Sequence, residues 1–149
     1  SKTPLRFKVL LELCRRFHEE PMNLGVQFSS SRDIYHHFQT RLGNLKQERF
    51  IIVILDNKHR FLSETTVTVG LLNRSLVHPR EVFAEAIEQR AAAIICIHNH
   101  PSGDSSPSEE DKRITRRLQE SGELLGIPLL DHIIISKEDF TSFADEGWL

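Results

Sequence analysis

The sequence is poor in the residues that staple or anchor a chain. It has two cysteines, Cys14 and Cys96, far apart and neither in a C-x-x-C pair. That excludes a disulfide scaffold and leads us to expect a reduced, cytoplasmic setting. No apolar run approaches the ~20 residues of a membrane-spanning helix, so no membrane partner is expected. No signal-peptide pattern precedes the first helix. An excess of one charge is also missing: 19 basic against 21 acidic residues leave a formal net charge of −2. Dedicated nucleic-acid binders usually show a basic excess or a long basic stripe. Here the clusters Arg15–Arg16, Lys112–Arg113 and Arg116–Arg117 are small and read as solvated helix faces. Direct nucleic-acid binding is therefore not expected. Repeats and low-complexity stretches are absent as well.

What is there is ordinary globular material. Apolar residues at 39% and charged residues at 27% exclude disorder. The 149 residues suffice for one domain with a real core. The opening at Ser1 rather than Met leads us to expect a piece of a longer protein. Leu5, Val9, Leu10, Leu13 and Phe17 recur at helical spacing until Pro21, and residues 22–29 read as a linker. A second helix is expected from Ser30, with Ser30 and Asp33 as a reciprocal capping pair, Ile34, Tyr35, Phe38 and Leu42 inward, and Gly43-Asn44 at its end.

Phe50 to Leu55 is a continuous, β-branched apolar run, hence a strand buried on both faces. The Asp56–His59 turn and the Phe61 to Val69 run predict a hairpin. Pro79 opens a helix with Val82, Phe83, Ala86 and Ile87 inward. Ala93 to Ile97 is another buried strand. A helix capped by Ser106 and Glu109, with Pro107 first, runs through Ile114 and Leu118 to Gly122. Leu129 to Ile135 is a final central strand, and Phe140 to Leu149 an irregular segment. Strands alternating with helices predict a layered α/β or α+β domain over residues 30–149, with residues 1–29 an appended helix and linker.

The last expected strand but one runs straight into His98-Asn99-His100. Period-2 geometry puts the two imidazoles on one face, so both can reach one metal. Asp111 follows eleven residues later, early in a helix that can carry its carboxylate back over the strand end. Two histidines and a carboxylate form a catalytic zinc set with the fourth position left open. A single histidine or helix-start aspartate would mean little. The full string is H-x-H, seven residues, then S-x-x-D, and that length makes it specific. We expect one zinc per chain, held by His98, His100 and Asp111.

This pattern resembles the JAMM (MPN+) metalloprotease motif. The fuller run HNHPSGDSSPSEED, with Gly122–Ile127, Leu130–Ile134 and His78–Phe83, resembles the RadC family in particular. The resemblance covers about residues 30 to 145. It implies a three-layer α/β/α sandwich with a mixed sheet, akin to cytidine deaminases, and a leading helix that is the tail of a preceding helical domain. It implies a zinc hydrolase of peptide, isopeptide or related amide bonds, with a protein or peptide as substrate. It makes Glu48, before Phe50–Leu55, the general base, and Ser108 the residue that helps hold the oxyanion. Glu64, Glu81 and Glu85 are the competing bases. Asp131 and His132, polar on an apolar strand, are candidate supports for a ligand. Cys96 alternates onto the His98 face and reads as a buried core thiol more readily than as a fourth ligand.

Other classes fit less well. A nucleobase deaminase needs H-x-E and P-C-x-x-C, and a zincin needs HExxH; none is present. Two histidines and a carboxylate also hold iron(II) in oxygenases, though the spacing argues against it. The remaining alternative is a non-enzymatic adaptor or DNA-repair-associated binding module, since RadC proteins carry a DNA-repair name. An adaptor has no need of a complete ligand set together with Glu48.

Overall fold

The computed structural model describes residues 4–11, 24–73 and 75–149. The expected helical positions Leu13 and Phe17, and Pro21, lie outside the described residues. Residues 5–11 are helical with exposed side chains. The remaining elements are α1 (Ser31–Leu42), β1 (Arg49–Leu55), β2 (Phe61–Val69), α2 (Pro79–Glu88), β3 (Ala93–Asn99), α3 (Glu109–Leu125), β4 (Leu129–Ile135) and β5 (Phe140–Ser142).

The strands form one open sheet in the order β2-β1-β3-β4-β5. Only β3 and β4 are parallel, joined by the α3 crossover; the other pairs are antiparallel, so the sheet is mixed. Helices cover both faces, which is why β1 is apolar without alternation. Phe50, Ile52 and Ile54 pack with Val82, Phe83, Ile114 and Leu118 of α2 and α3. Ile51, Val53 and Leu55 pack with Ile34, Tyr35, Phe38 and Leu42 of α1. The α/β expectation thus holds in three layers.

Several local expectations are corrected. Ser30 does cap α1, accepting the Asp33 N–H at 3.1 Å, but the Asp33 carboxylate accepts from the Ser29 N–H instead of closing the pair on Ser30. Residues 24–28 are not a free linker: Gln27 bridges Arg60, and Phe28 enters the core beside α1. Ile87 is 53% exposed, because α2 buries only Val82, Phe83 and Ala86. α3 starts at Glu109, not at Pro107. The Asp104 carboxylate holds the Ser106 N–H at 2.9 Å in a loop turn, and Ser108 with Asp111 forms the capping box. α3 also runs past Gly122 to Gly126, whose φ of 72° supplies the left-handed cap. The segment from Phe140 is not wholly irregular, since Phe140–Ser142 pairs with Ile133–Ile135 as the edge strand.

Candidate metal centre

The sheet register explains how Glu48 meets residues fifty positions away. β1 and β3 run antiparallel with Phe50 opposite His98. The mouth of β1 therefore lies beside the exit of β3, and Glu48 precedes β1 by one residue. Two devices hold it there. The Gly70 N–H donates to the Glu48 carbonyl at 2.7 Å, and the Leu72 N–H donates to its Oε2 at 3.1 Å. Asn99, between the two histidines, clamps the backbone on either side: its Oδ1 accepts from the Arg49 N–H at 2.7 Å, and its Nδ2 donates to the Gln47 carbonyl at 2.9 Å.

His98 is 1% exposed and lies between two carboxylates. Its Nδ1 is 3.3 Å from Asp111 Oδ1, and its Nε2 is 3.6 Å from Glu48 Oε2. His100 Nε2 is 3.1 Å from Asp111 Oδ2. The two imidazole rings stand at 89° with centroids 4.8 Å apart. His100 Nδ1 lies 2.9 Å from the Asp104 carbonyl, which can only accept, so Nδ1 carries the proton and Nε2 is left to face the centre. Asp111 is set at the third position of α3 by the capping box, its Oδ2 accepting the Ser108 N–H at 2.8 Å.

The charges are mutually tuned. Burial would raise the Asp111 pKa, but the two imidazoles and the Ser108 N–H outweigh it and hold the carboxyl well below the usual range. Burial pushes both imidazoles down, and the carboxylates outweigh that too: Asp111 and Glu48 raise His98, while Asp111 and the Asp104 carbonyl raise His100. His98 chiefly, then the Leu72 N–H, lowers Glu48 against its partial burial.

These residues fit a metal ion. Both His98 nitrogens are buried without an aligned hydrogen bond, although carboxylates lie close. Buried nitrogens are normally satisfied, and a cation held among them would satisfy these. One ligand atom each from Glu48, His98 and His100 lies within 4.8 Å of the others, a group that could hold a metal. The grouping puts Glu48 where the motif puts Asp111. Asp111 nevertheless touches both histidines, so four side chains converge, two imidazoles and two carboxylates of the kind zinc takes.

Residues 28–148 match the family described as the RadC-like JAB domain. The chain belongs to that family. Its relatives include UPF0758 proteins from Syntrophotalea carbinolica (49% identical over 142 residues, 95% of this chain and 63% of that protein), Geotalea uraniireducens (46% over 142 residues, 95% and 62%) and Thermotoga maritima (43% over 145 residues, 97% and 65%). The chain thus spans just over three-fifths of the length of these curated relatives.

In this RadC-like JAB domain the other expected residues take distinct places. Ser108 is exposed and caps α3, its Oγ accepting the Asp111 N–H at 3.0 Å with the O–H free to donate. His132 is fully buried, stacked on Phe143, with Nδ1 2.6 Å from Thr115 Oγ1. Thr115 in turn donates to the Asp111 carbonyl at 2.6 Å, so His132 reaches the centre through α3. Asp131 instead ties β4 to the following segment, accepting from the His132 and Ala144 N–H groups and the Ser142 hydroxyl. Burial outweighs these bonds and leaves its pKa raised. Cys96 is in the core, its thiol pushed up by burial. Of the competing glutamates, Glu64 is taken by Arg41 at 2.8 and 2.9 Å, Glu85 by Gln89, and Glu81 is exposed beside Arg80. Sequence reasoning missed Asn99, Thr115 and the Gly70–Leu72 support. Asn99 did carry a signal: an asparagine inside a buried strand is a poor strand former that needs polar partners.

Proposed function

We propose that the chain is a metal-dependent hydrolase of the JAMM type, cleaving a peptide, isopeptide or related amide bond in a protein or peptide substrate. The observation that carries this reading is the convergence of Glu48, His98, His100 and Asp111 from three separate elements. His98, His100 and Asp111 are the proposed ligands of one zinc per chain. Zinc at such a site supplies Lewis acidity, which polarises a carbonyl and makes water easier to deprotonate.

Glu48 is the proposed general base. Its carboxylate is held from behind by the Leu72 N–H, which leaves Oε1 free to take a proton from the attacking water. The same group then hands that proton to the departing amine. A lowered pKa keeps Glu48 ionised and ready to accept. Ser108 is proposed to donate its free O–H to the developing oxyanion, while its Oγ lone pair stays on the Asp111 N–H. His132 is the proposed support for the Asp111 turn of α3. Asp131 is proposed to act at a distance, by fixing the segment whose Phe143 stacks on His132.

Among the described residues no helix is long and apolar enough to cross a membrane. The proposed setting is the cytoplasm, in keeping with the unbridged thiol of Cys96.

The test combines metal analysis with hydrolysis of a mixed peptide and isopeptide library. Glu48→Gln should retain metal and fold while abolishing cleavage. Asp111→Asn should lose most of the metal. Metal lost from Glu48→Gln but retained by Asp111→Asn would exchange the two roles. Cleavage undiminished in Glu48→Gln would refute Glu48 as the base, and no cleavage by the metal-loaded wild type would refute the hydrolytic reading.

A further inference from the structure

Lys112, Thr115, Arg116, Phe143 and Trp148 line a cavity of about 250 Å³ beside α3. Two of its lining residues are tied to the turn of α3 that carries Asp111: Thr115 is bonded to the Asp111 carbonyl and to His132, and Phe143 stacks on His132. Lys112 directly follows Asp111, and Arg116 lies one turn on, on the same helix face. At 1.5 Å per residue Arg116 sits about 7.5 Å along the axis from Asp111.

The walls combine cation and ring. Lys112 Nζ is 5.9 Å from the Trp148 ring centroid, and Trp148 meets Phe143 edge-on at 5.3 Å. Trp148 is 46% exposed although its backbone N–H is fixed on the Phe143 carbonyl at 2.9 Å. Among the described residues the one ion pair of Lys112 is an exposed contact to Glu109 at 3.4 Å, the kind of pair a ligand displaces cheaply. Arg116 has no ion pair among the described residues.

We propose that this cavity is a subsite for a carboxylate-bearing residue of a peptide substrate, with Lys112 and Arg116 on the carboxylate and Trp148 and Phe143 on its aliphatic stem. The assignment names a substrate class for the hydrolysis proposed above and rests on that reading. A single carboxylate suits two cations. A nucleic-acid backbone needs a longer basic track, and here Glu109, Glu110 and Glu120 flank the cations on the same helix.

Trp148 is the only tryptophan in the chain, so its emission reports on this cavity. The probes are the capped peptides acetyl-Gly-Glu-Gly-amide and acetyl-Gly-Gln-Gly-amide, acetyl-Gly-Gly-Gly with a free carboxyl terminus, and an oligothymidylate. Binding is read without turnover and repeated with chelator, so its failure is separable from failure of the hydrolase reading. Saturable emission change with a carboxylate peptide and not with the glutamine peptide is expected. Which carboxylate peptide responds identifies a side-chain or a C-terminal source. The double variant Lys112→Gln/Arg116→Gln should weaken binding about tenfold or more, as loss of charge-assisted bonds does. Arg116→Gln alone, on an exposed position, gives the same direction if the double variant does not fold. Glu109→Gln frees Lys112 and should tighten binding, while Lys58→Gln on the distant β1–β2 turn should leave it unchanged. Equal response to the glutamine peptide, no response to either carboxylate, an unaltered affinity in Arg116→Gln, or tighter binding of the oligothymidylate overturns the proposal.

Discussion

Replacing Asn99 by alanine should loosen the mouth of β1 and release Glu48, although Asn99 is neither a proposed ligand nor a proposed base. The side chain is 1% exposed and makes two bonds, to the Arg49 N–H at 2.7 Å and to the Gln47 carbonyl at 2.9 Å. The partners differ in what they lose. Gln47 is exposed, so its carbonyl turns to water at little cost. Arg49 is half-buried, and an orphaned N–H there costs about 1–3 kcal/mol. Adding a net loss of about 1 kcal/mol for the second bond gives about 2–4 kcal/mol. For a domain of this size that lowers the melting temperature by about 4–16 °C. Asn99→Asp should be no milder. It keeps the acceptor for Arg49 but sets a charged oxygen against the Gln47 carbonyl, beside Glu48. The assay is thermal unfolding with chelator present, which separates the clamp from metal affinity, together with hydrogen exchange at the Arg49 amide. A melting temperature within about 2 °C of wild type with Arg49 still protected would show that the clamp does not hold Glu48.

Three further outcomes follow from the same geometry. His132 is held neutral by burial with its pKa lowered to about 3, against 6.5 unfolded, so its contribution is full above pH 6.5 and is lost as pH falls. Chelated wild type should therefore lose about 3 kcal/mol between pH 7 and pH 4 relative to His132→Phe, and parallel stability curves would refute this. Ser108→Ala removes the α3 cap, costing about 1 kcal/mol of stability, and should slow cleavage about 10²–10³-fold with metal retained; unchanged turnover would leave Ser108 a cap only. Gly122→Ala places a Cβ 2.5 Å from the Ile127 carbonyl, so it should destabilise by about 1–3 kcal/mol despite the better helix propensity of alanine; a higher melting temperature would contradict that close approach.

Much of this was legible locally. The apolar run Phe50–Leu55 announced a strand covered on both faces, and Ile34, Tyr35, Phe38 and Leu42 announced the buried stripe of α1. Periodicity and capping chemistry act over a few residues, so one sequence suffices to read them. The same locality brought His98 and His100 to one strand end and made Asp111 a candidate partner. It failed where two local solutions compete. Ser106 with Glu109 and Ser108 with Asp111 both spell a helix start, and only the Asp104–Ser106 turn decides between them.

The candidate ligand types, their spacing and the family were thus legible in the sequence alone. The antiparallel register that sets Phe50 beside His98, and so delivers Glu48 to the histidines, was decided only by the tertiary structure. So were the Asn99 clamp, the Thr115 link from His132 to Asp111, and the cavity between α3 and Trp148. Each joins residues far apart in the chain, through contacts that depend on strand register and on how α3 lies against β4. Spacing along one sequence records periodicity, whereas pairing between distant segments is set by the packing of the whole sheet and its helices.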